Sequence, residues 1–314
     1  MKVYIFADLE GVACVFSRRE NYIYAAEYGT LELVAICDKL NELGAGEILI
    51  NSPHILEYHK FQDNVKIFRA EPCPNFFTEG LTQDFDFAMI TGMHAMAGGL
   101  ELGCWRHSLL PHPVSQAYSA VECVWLNDMP VGEIGLFTAF AGILGIPVIM
   151  LTGDFYACKE AETLIPDIYT LAVKKGCSFY SAVSMTPGAA AKASAELAGK
   201  AALNHSSIKP YIIKGPVTLK VRYLFAERAA DAIMAVPDAI RVDEKTVELR
   251  CEDLKALIPR FGSMRAIDND IYREDLKGAF TTGFFTRIGP EPFESSPTYK
   301  APVQKDFALG NWGR

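Results

Sequence analysis

Residues 2–11, KVYIFADLEG, decide how the rest of the chain is read. KVYIFA is a short apolar run with β-branched and aromatic members, the pattern of a strand buried on both faces of a sheet. Two carboxylates, Asp8 and Glu10, stand where that strand ends. In open α/β sheets ligands bind beyond the carboxyl ends of the strands, so this pair occupies a position suited to a site. Extended alternation points both to one side, as two hard oxygen donors for a divalent cation. The plainer alternative is a solvated strand end, or caps for the following turn.

Outward from this strand, the first half alternates strand and helix. A helical period over 28–43 puts Leu31, Val34, Ala35, Leu40 and Leu43 on one stripe, and Gly44 and Gly46 stop it. EILIN (47–51), VKIFRA (65–70), FDFAMITG (85–92) and the run at 121–126 read as further strands. Asn127-Asp128 marks a turn, residues 132–144 a helix and PVIMLTG (147–153) another strand. This alternation predicts an α/β domain with a largely parallel sheet flanked by helices over 1–205. An Ala-rich helix opens at Pro187, and 206–216 is the candidate hinge. Strands at 217–224 and 245–250 around the helix ERAADAIMAV predict a smaller α+β portion over 206–263. Residues 264–314, rich in Gly, Pro and aromatics, read as an extended arm over the surface or a neighbouring subunit.

The other strand ends repeat the chemistry of the first. EILINSPH puts His54 just after the second strand, and FAMITGMH puts His94 after the strand at 85–92. A lone histidine after a strand is usually a hydrogen-bonded turn residue. Two histidines and a D-x-E at matching strand ends are instead the nitrogen and carboxylate donors of a zinc or mixed-metal hydrolase site. Glu133, opening the helix at VGEIG, is either a further carboxylate ligand or a complement to the helix dipole. His107, in R-H-S after the Gly-rich loop AGGLELGCW, has the chemistry to polarise a carbonyl or shuttle a proton. His112, in P-H-P, suits a structural role.

Composition removes several classes. The chain has 314 residues, half of them hydrophobic, with 38 acidic against 30 basic side chains and a net charge of −8. That balance, with no basic block, argues against a nucleic-acid or anionic-membrane partner. No uncharged apolar stretch reaches the ~18 residues of a membrane span. Asp8 and Glu10 interrupt what would be a signal peptide's apolar region, so the expected location is the cytoplasm. Eight cysteines are spread without a C-x-x-C pair and read as reduced core thiols.

FADLEGV, Asn51-x-x-His54, TGMHA, RHS, NDMPVGEIGL and TGDFYACKEAE, in this order over residues 1–260, resemble the D-aminopeptidase family, peptidase family M55. The resemblance implies a metallo-aminopeptidase with two zinc ions per subunit, other divalent metals being possible. Asp8, Glu10, His54, His94 and Glu133 would be the ligands, Asp8 bridging, and His107 the catalytic histidine. A metal-activated water, assisted by His107, would cleave the N-terminal amide bond of short peptides, with D-residues preferred. A homo-oligomer, possibly a ten-subunit ring, is implied as well. The chain departs from the pattern at Asn51-Ser52-Pro53-His54, where the family usually has Asn-Asp-Ser-His. Two rival readings are a haloacid-dehalogenase-like phosphohydrolase and a non-catalytic scaffold or binding protein. The first leaves His54, His94 and His107 without a job, and its chemistry normally uses D-x-D after the first strand, where this chain has Asp8-Leu9-Glu10.

Overall fold

The computed structural model describes residues 1–16, 24–54, 56–69, 77–97, 121–178 and 181–261. β1 (Lys2–Ala7) is followed by α1 (Ala26–Glu42), β2 (Glu47–Asn51), β3 (Val65–Phe68) and β4 (Phe87–Met93). The chain continues through β5 (Val121–Leu126), β6 (Met129–Pro130), α2 (Glu133–Ile143), β7 (Val148–Asp154) and α3 (Phe155–Leu164). Next come β8 (Tyr169–Ser178), β9 (Ser181–Ser184), α4 (Pro187–Leu203), β10 (Val217–Tyr223), α5 (Ala226–Ala235), β11 (Ile240–Arg241) and β12 (Thr246–Cys251).

The larger sheet runs β3-β2-β1-β4-β7-β8-β9. It is parallel from β3 to β8 and antiparallel only at β9. β1 is buried from Val3 onward, as a strand covered on both faces must be. The order reverses beside β1: β2 and β3 extend to one side, β4 and β7 to the other. The crevice beyond the carboxyl ends of β1 and β4 is therefore the topological switch point where such sheets bind ligands.

Two helices show how the sheet is covered. α2 is buried from Glu133 to Gly142, and its Phe137 stacks on Tyr4 and Phe6 of β1, centroids 6.1 and 5.3 Å apart. Burying a ring of that size stabilises by about 1.5–3 kcal/mol, and the stack seats the helix over β1. α1 packs against α4, and Leu33, Ile36, Cys37 and Leu40 are its buried apolar residues. This corrects the predicted stripe, since Leu31 is exposed and Val34, Ala35 and Leu43 are only half-buried. The helix carries apolar residues in two phases, and the one at 33, 36, 37 and 40 is buried.

β5, grouped by the sequence reading with the first-half strands, belongs to a second sheet, β11-β12-β10-β5-β6. All its pairings are antiparallel. The reason is the turn at Asn127-Asp128. Both residues are left-handed, with φ of 50° and 63°, as a two-residue type I′ hairpin requires, so β5 is tied to β6. Its other edge takes β10, which alternates buried and half-buried residues as a strand with one face in the core should. The sheet thus draws strands from 121–130 and from 217–251. The arm at 264–314 lies outside the described residues. No described helix is long and apolar enough to cross a membrane. Cys37 and Cys158 are buried thiols pushed up to about 12 by desolvation, the inert state expected of core cysteines.

Candidate metal centre

Asp8 and Glu10 do converge, but not by strand alternation. The chain turns immediately after β1, with Val12 N donating to Leu9 O at 3.2 Å. Both carboxylates fold back onto one amide, Leu9 N, which lies 2.9 Å from Asp8 Oδ1 and 3.3 Å from Glu10 Oε2. Two glycines make this turn possible. Gly11 N donates to Gly92 O at 2.7 Å, and a Cβ on Gly11 would stand 2.0 Å from Met93 O. Gly92 adopts φ +63°, and a Cβ there would meet Asp8 O at 2.1 Å. The ends of β1 and β4 touch backbone to backbone, which sets Asp8 beside His94.

Asp8 has a different imidazole at each oxygen. His54 Nε2 lies 2.8 Å from Asp8 Oδ1 and 3.0 Å from Glu10 Oε2. His94 Nε2 lies 3.3 Å from Asp8 Oδ2 and 3.7 Å from Glu133 Oε1. Asp8, Glu10, His94 and Glu133 are buried, and His54 is partly open. Two donor groups result, Asp8-Glu10-His54 and Asp8-His94-Glu133, each with its ligand atoms within 4.8 Å of one another. The structure thus brings together all five predicted ligands, while His107 and its R-H-S lie outside the described residues.

The donor set fits a metal. Tetrahedral ligands at ~2.0–2.1 Å from zinc stand roughly 3.3 Å apart, and the separations above bracket that value. His94 Nδ1 is 2.9 Å from Ala95 O, which can only accept, so Nδ1 carries a proton and Nε2 faces the carboxylates. Electrostatics agree. Burial, with Glu10 next to it, raises the Asp8 carboxyl to about 7. Burial alone lowers both imidazoles, yet Glu10 and Asp8 outweigh it at His54, and Asp8, Glu133 and Glu10 outweigh it at His94, so both are raised. Clustered acids that draw protons onto their neighbours are a cluster short of positive charge. A divalent cation would take the place of those protons.

Three supports escaped the sequence reading. Ser52 Oγ accepts from His54 N at 3.2 Å, so a hydroxyl closes the turn at the position where the motif departs from its usual acid. Asn51 is buried, and its Nδ2 donates to Tyr4 Oη of β1 at 2.8 Å. Lys174 of β8 is buried, and its Nζ donates to the carbonyls of Glu10 and Val15, clamping the turn from behind. Glu160 of α3 accepts from the amides of Gly132 and Gly135 at the start of α2. Sequence offers little signal for Lys174 and Glu160, because each acts on backbone groups distant along the chain. Asp154 caps α3, its Oδ1 accepting from Tyr156 N at 2.9 Å.

Comparison with known proteins identifies relatives of the whole described fold. D-aminopeptidase from Bacillus subtilis (strain 168) is 29% identical over 269 residues, covering 81% of this chain and 93% of that protein. Among solved structures, the Zn-dependent D-aminopeptidase DppA from Bacillus subtilis, described as a self-compartmentalizing protease, superposes with a TM-score of 0.77. The two share 26% identity, with 86% of this chain and 97% of that one covered. The sequence profile of D-aminopeptidases, peptidase family M55, matches residues 1–262. With its two donor groups at the switch point of the sheet, this chain belongs to the D-aminopeptidase family.

Proposed function

We propose that the protein is a zinc-dependent aminopeptidase that removes the N-terminal residue, a D-amino acid, from short peptides. The observation that carries this reading is the pair of buried donor groups sharing Asp8. Asp8, Glu10 and His54 would hold one ion and Asp8, His94 and Glu133 the other, two per subunit. Bound there, the ions supply a water of near-neutral pKa and polarise the scissile carbonyl.

The chain's own residues do the rest. The turn at 8–12 and the first residue of α2 fix the carboxylates before substrate arrives. An acid of the cluster receives the substrate's free amino group, which makes the enzyme an exopeptidase. His107 moves a proton to the leaving amine, a role supported by its R-H-S motif. The neighbour's self-compartmentalizing character supports a closed homo-oligomer, for which a ring of ten is proposed, in the cytoplasm.

Hydrolysis of D-Ala and L-Ala p-nitroanilides by the zinc-loaded protein, with a chelated control, tests the reading. Chelator-sensitive turnover with the D-substrate favoured is expected. Two tightly held ions without turnover of either would move the substrate to another amide. Neither turnover nor metal would overturn the enzyme reading in favour of a scaffold.

A further inference from the structure

α2 has no side chain of its own at its N-cap, because that position is Gly132. Its first amides nevertheless have an acceptor. Glu160, 28 residues on and in a different helix, places Oε1 2.6 Å from Gly132 N and 3.1 Å from Gly135 N. In an ordinary capping box these two donors are met by two side chains of the helix itself. Here one carboxylate oxygen from α3 accepts from both. The seat is tight: a Cβ on Gly132 would stand 2.8 Å from Glu160 Oε2 and 2.6 Å from Met96 Cβ. Glu160 is 8% exposed, so the contact is dry. Between the two bonded amides lies Glu133, the first residue of α2, whose carboxylate faces His94.

We infer that Glu160 is a positioning residue for the Glu133 half of the metal centre: by holding the first turn of α2 it aims the Glu133 carboxylate at His94 and Asp8. The inference rests on the two-ion reading proposed above. It separates the two ions, because the amides that Glu160 holds belong to the first turn of α2, which carries Glu133. Outer partners of metal ligands commonly change affinity by 10–100-fold.

The test is zinc titration into the metal-free full-length protein, reading stoichiometry and affinity directly. Wild type is expected to bind two ions. Glu160→Ala should keep one at wild-type affinity and weaken the other 10–100-fold, and Glu160→Gln, which keeps an acceptor oxygen, should restore it to within several-fold. In a Glu133→Ala background, adding Glu160→Ala should leave the remaining ion unchanged. Should Glu160→Ala not fold, Glu160→Asp, which keeps the charge and shortens the reach, gives the same reading. Wild type holding fewer than two ions overturns both proposals. Wild type with two, and Glu160→Ala with two at unchanged affinity, overturns this inference alone. So does equal weakening of both ions, failure of Glu160→Gln to restore binding, or further loss in the Glu133→Ala background.

Discussion

The two halves of the metal centre share Asp8 but are built differently. The His54 half is made of chain leaving strands: a turn after β1 and a turn after β2, held by bonds through Leu9 N, Ser52 Oγ and Lys174 Nζ. Its histidine side chain is 27% exposed. The His94 half is made of a strand end locked to its neighbour and the first residue of a capped helix. Its side chains are 1% and 9% exposed. The same donor chemistry is thus presented once on an open, turn-borne side and once on a closed, framework-borne side. Water reaches the first more easily, so its ion is the one expected to exchange.

The strongest way to break this comparison is at the residue both halves share. Asp8→Ala should abolish binding of both ions and lower kcat/KM by more than the ~100-fold seen for outer partners. A variant that kept one ion would show that Asp8 bridges nothing. The two histidines sharpen the contrast. In the metal-free protein, His94→Ala leaves buried carboxylates without their imidazole and should cost about 3 kcal/mol in denaturant unfolding. His54→Ala, with water at hand to replace it, should cost about 1 kcal/mol or less. Equal losses would erase the difference between the halves.

Chelator release comes next in size. Titrating a chelator into the two-zinc protein should remove the His54-side ion first, in two resolvable steps. Each ion present at 100 times its Kd contributes about 2.7 kcal/mol to stability, so Tm should fall in two stages as well. Simultaneous release would mean that the halves behave as one.

The smallest effect belongs to an acid away from the centre. Glu32 of α1 is buried between Thr152, whose Oγ1 donates at 2.5 Å, and Ser194, whose Oγ donates at 3.0 Å. Burial raises its carboxyl above the usual 4.5. The folded value being the higher one, its stabilising contribution is full below about 4.5 and is lost as pH climbs through the raised value. Glu32→Gln should therefore gain Tm on wild type as pH rises from 4 towards neutrality, with or without zinc. A gap that narrows with rising pH would reverse the sign argued here.

Much of this was legible from the chain. Asp8, His54 and His94 follow from locating strands and asking what stands at their carboxyl ends, since parallel order brings those ends together. Glu133 was legible as a helix opener, and its place beside His94 needed α2 to be docked by Phe137. Two things were not legible. β8 and α3 gave no assignable pattern over 155–184, and they carry Lys174 and Glu160, which act on backbone groups 164 and 28 residues away. The partner of β5 was hidden too, because antiparallel pairing with β10 joins segments 93 to 102 residues apart, beyond the reach of local periodicity.

Gly11 and Gly92 carry a consequence for descent. Neither position has room for a Cβ, whatever the protein does, because each faces the other strand's backbone. The ligands are free of that demand: Asp8, His54 or Glu133 can drift once catalysis is no longer selected. A lineage that abandoned peptide hydrolysis would therefore keep the two glycines and lose the acids and histidines around them. The glycine pair marks ancestry and the ligands mark employment, so a relative with the first and without the second is a retired enzyme.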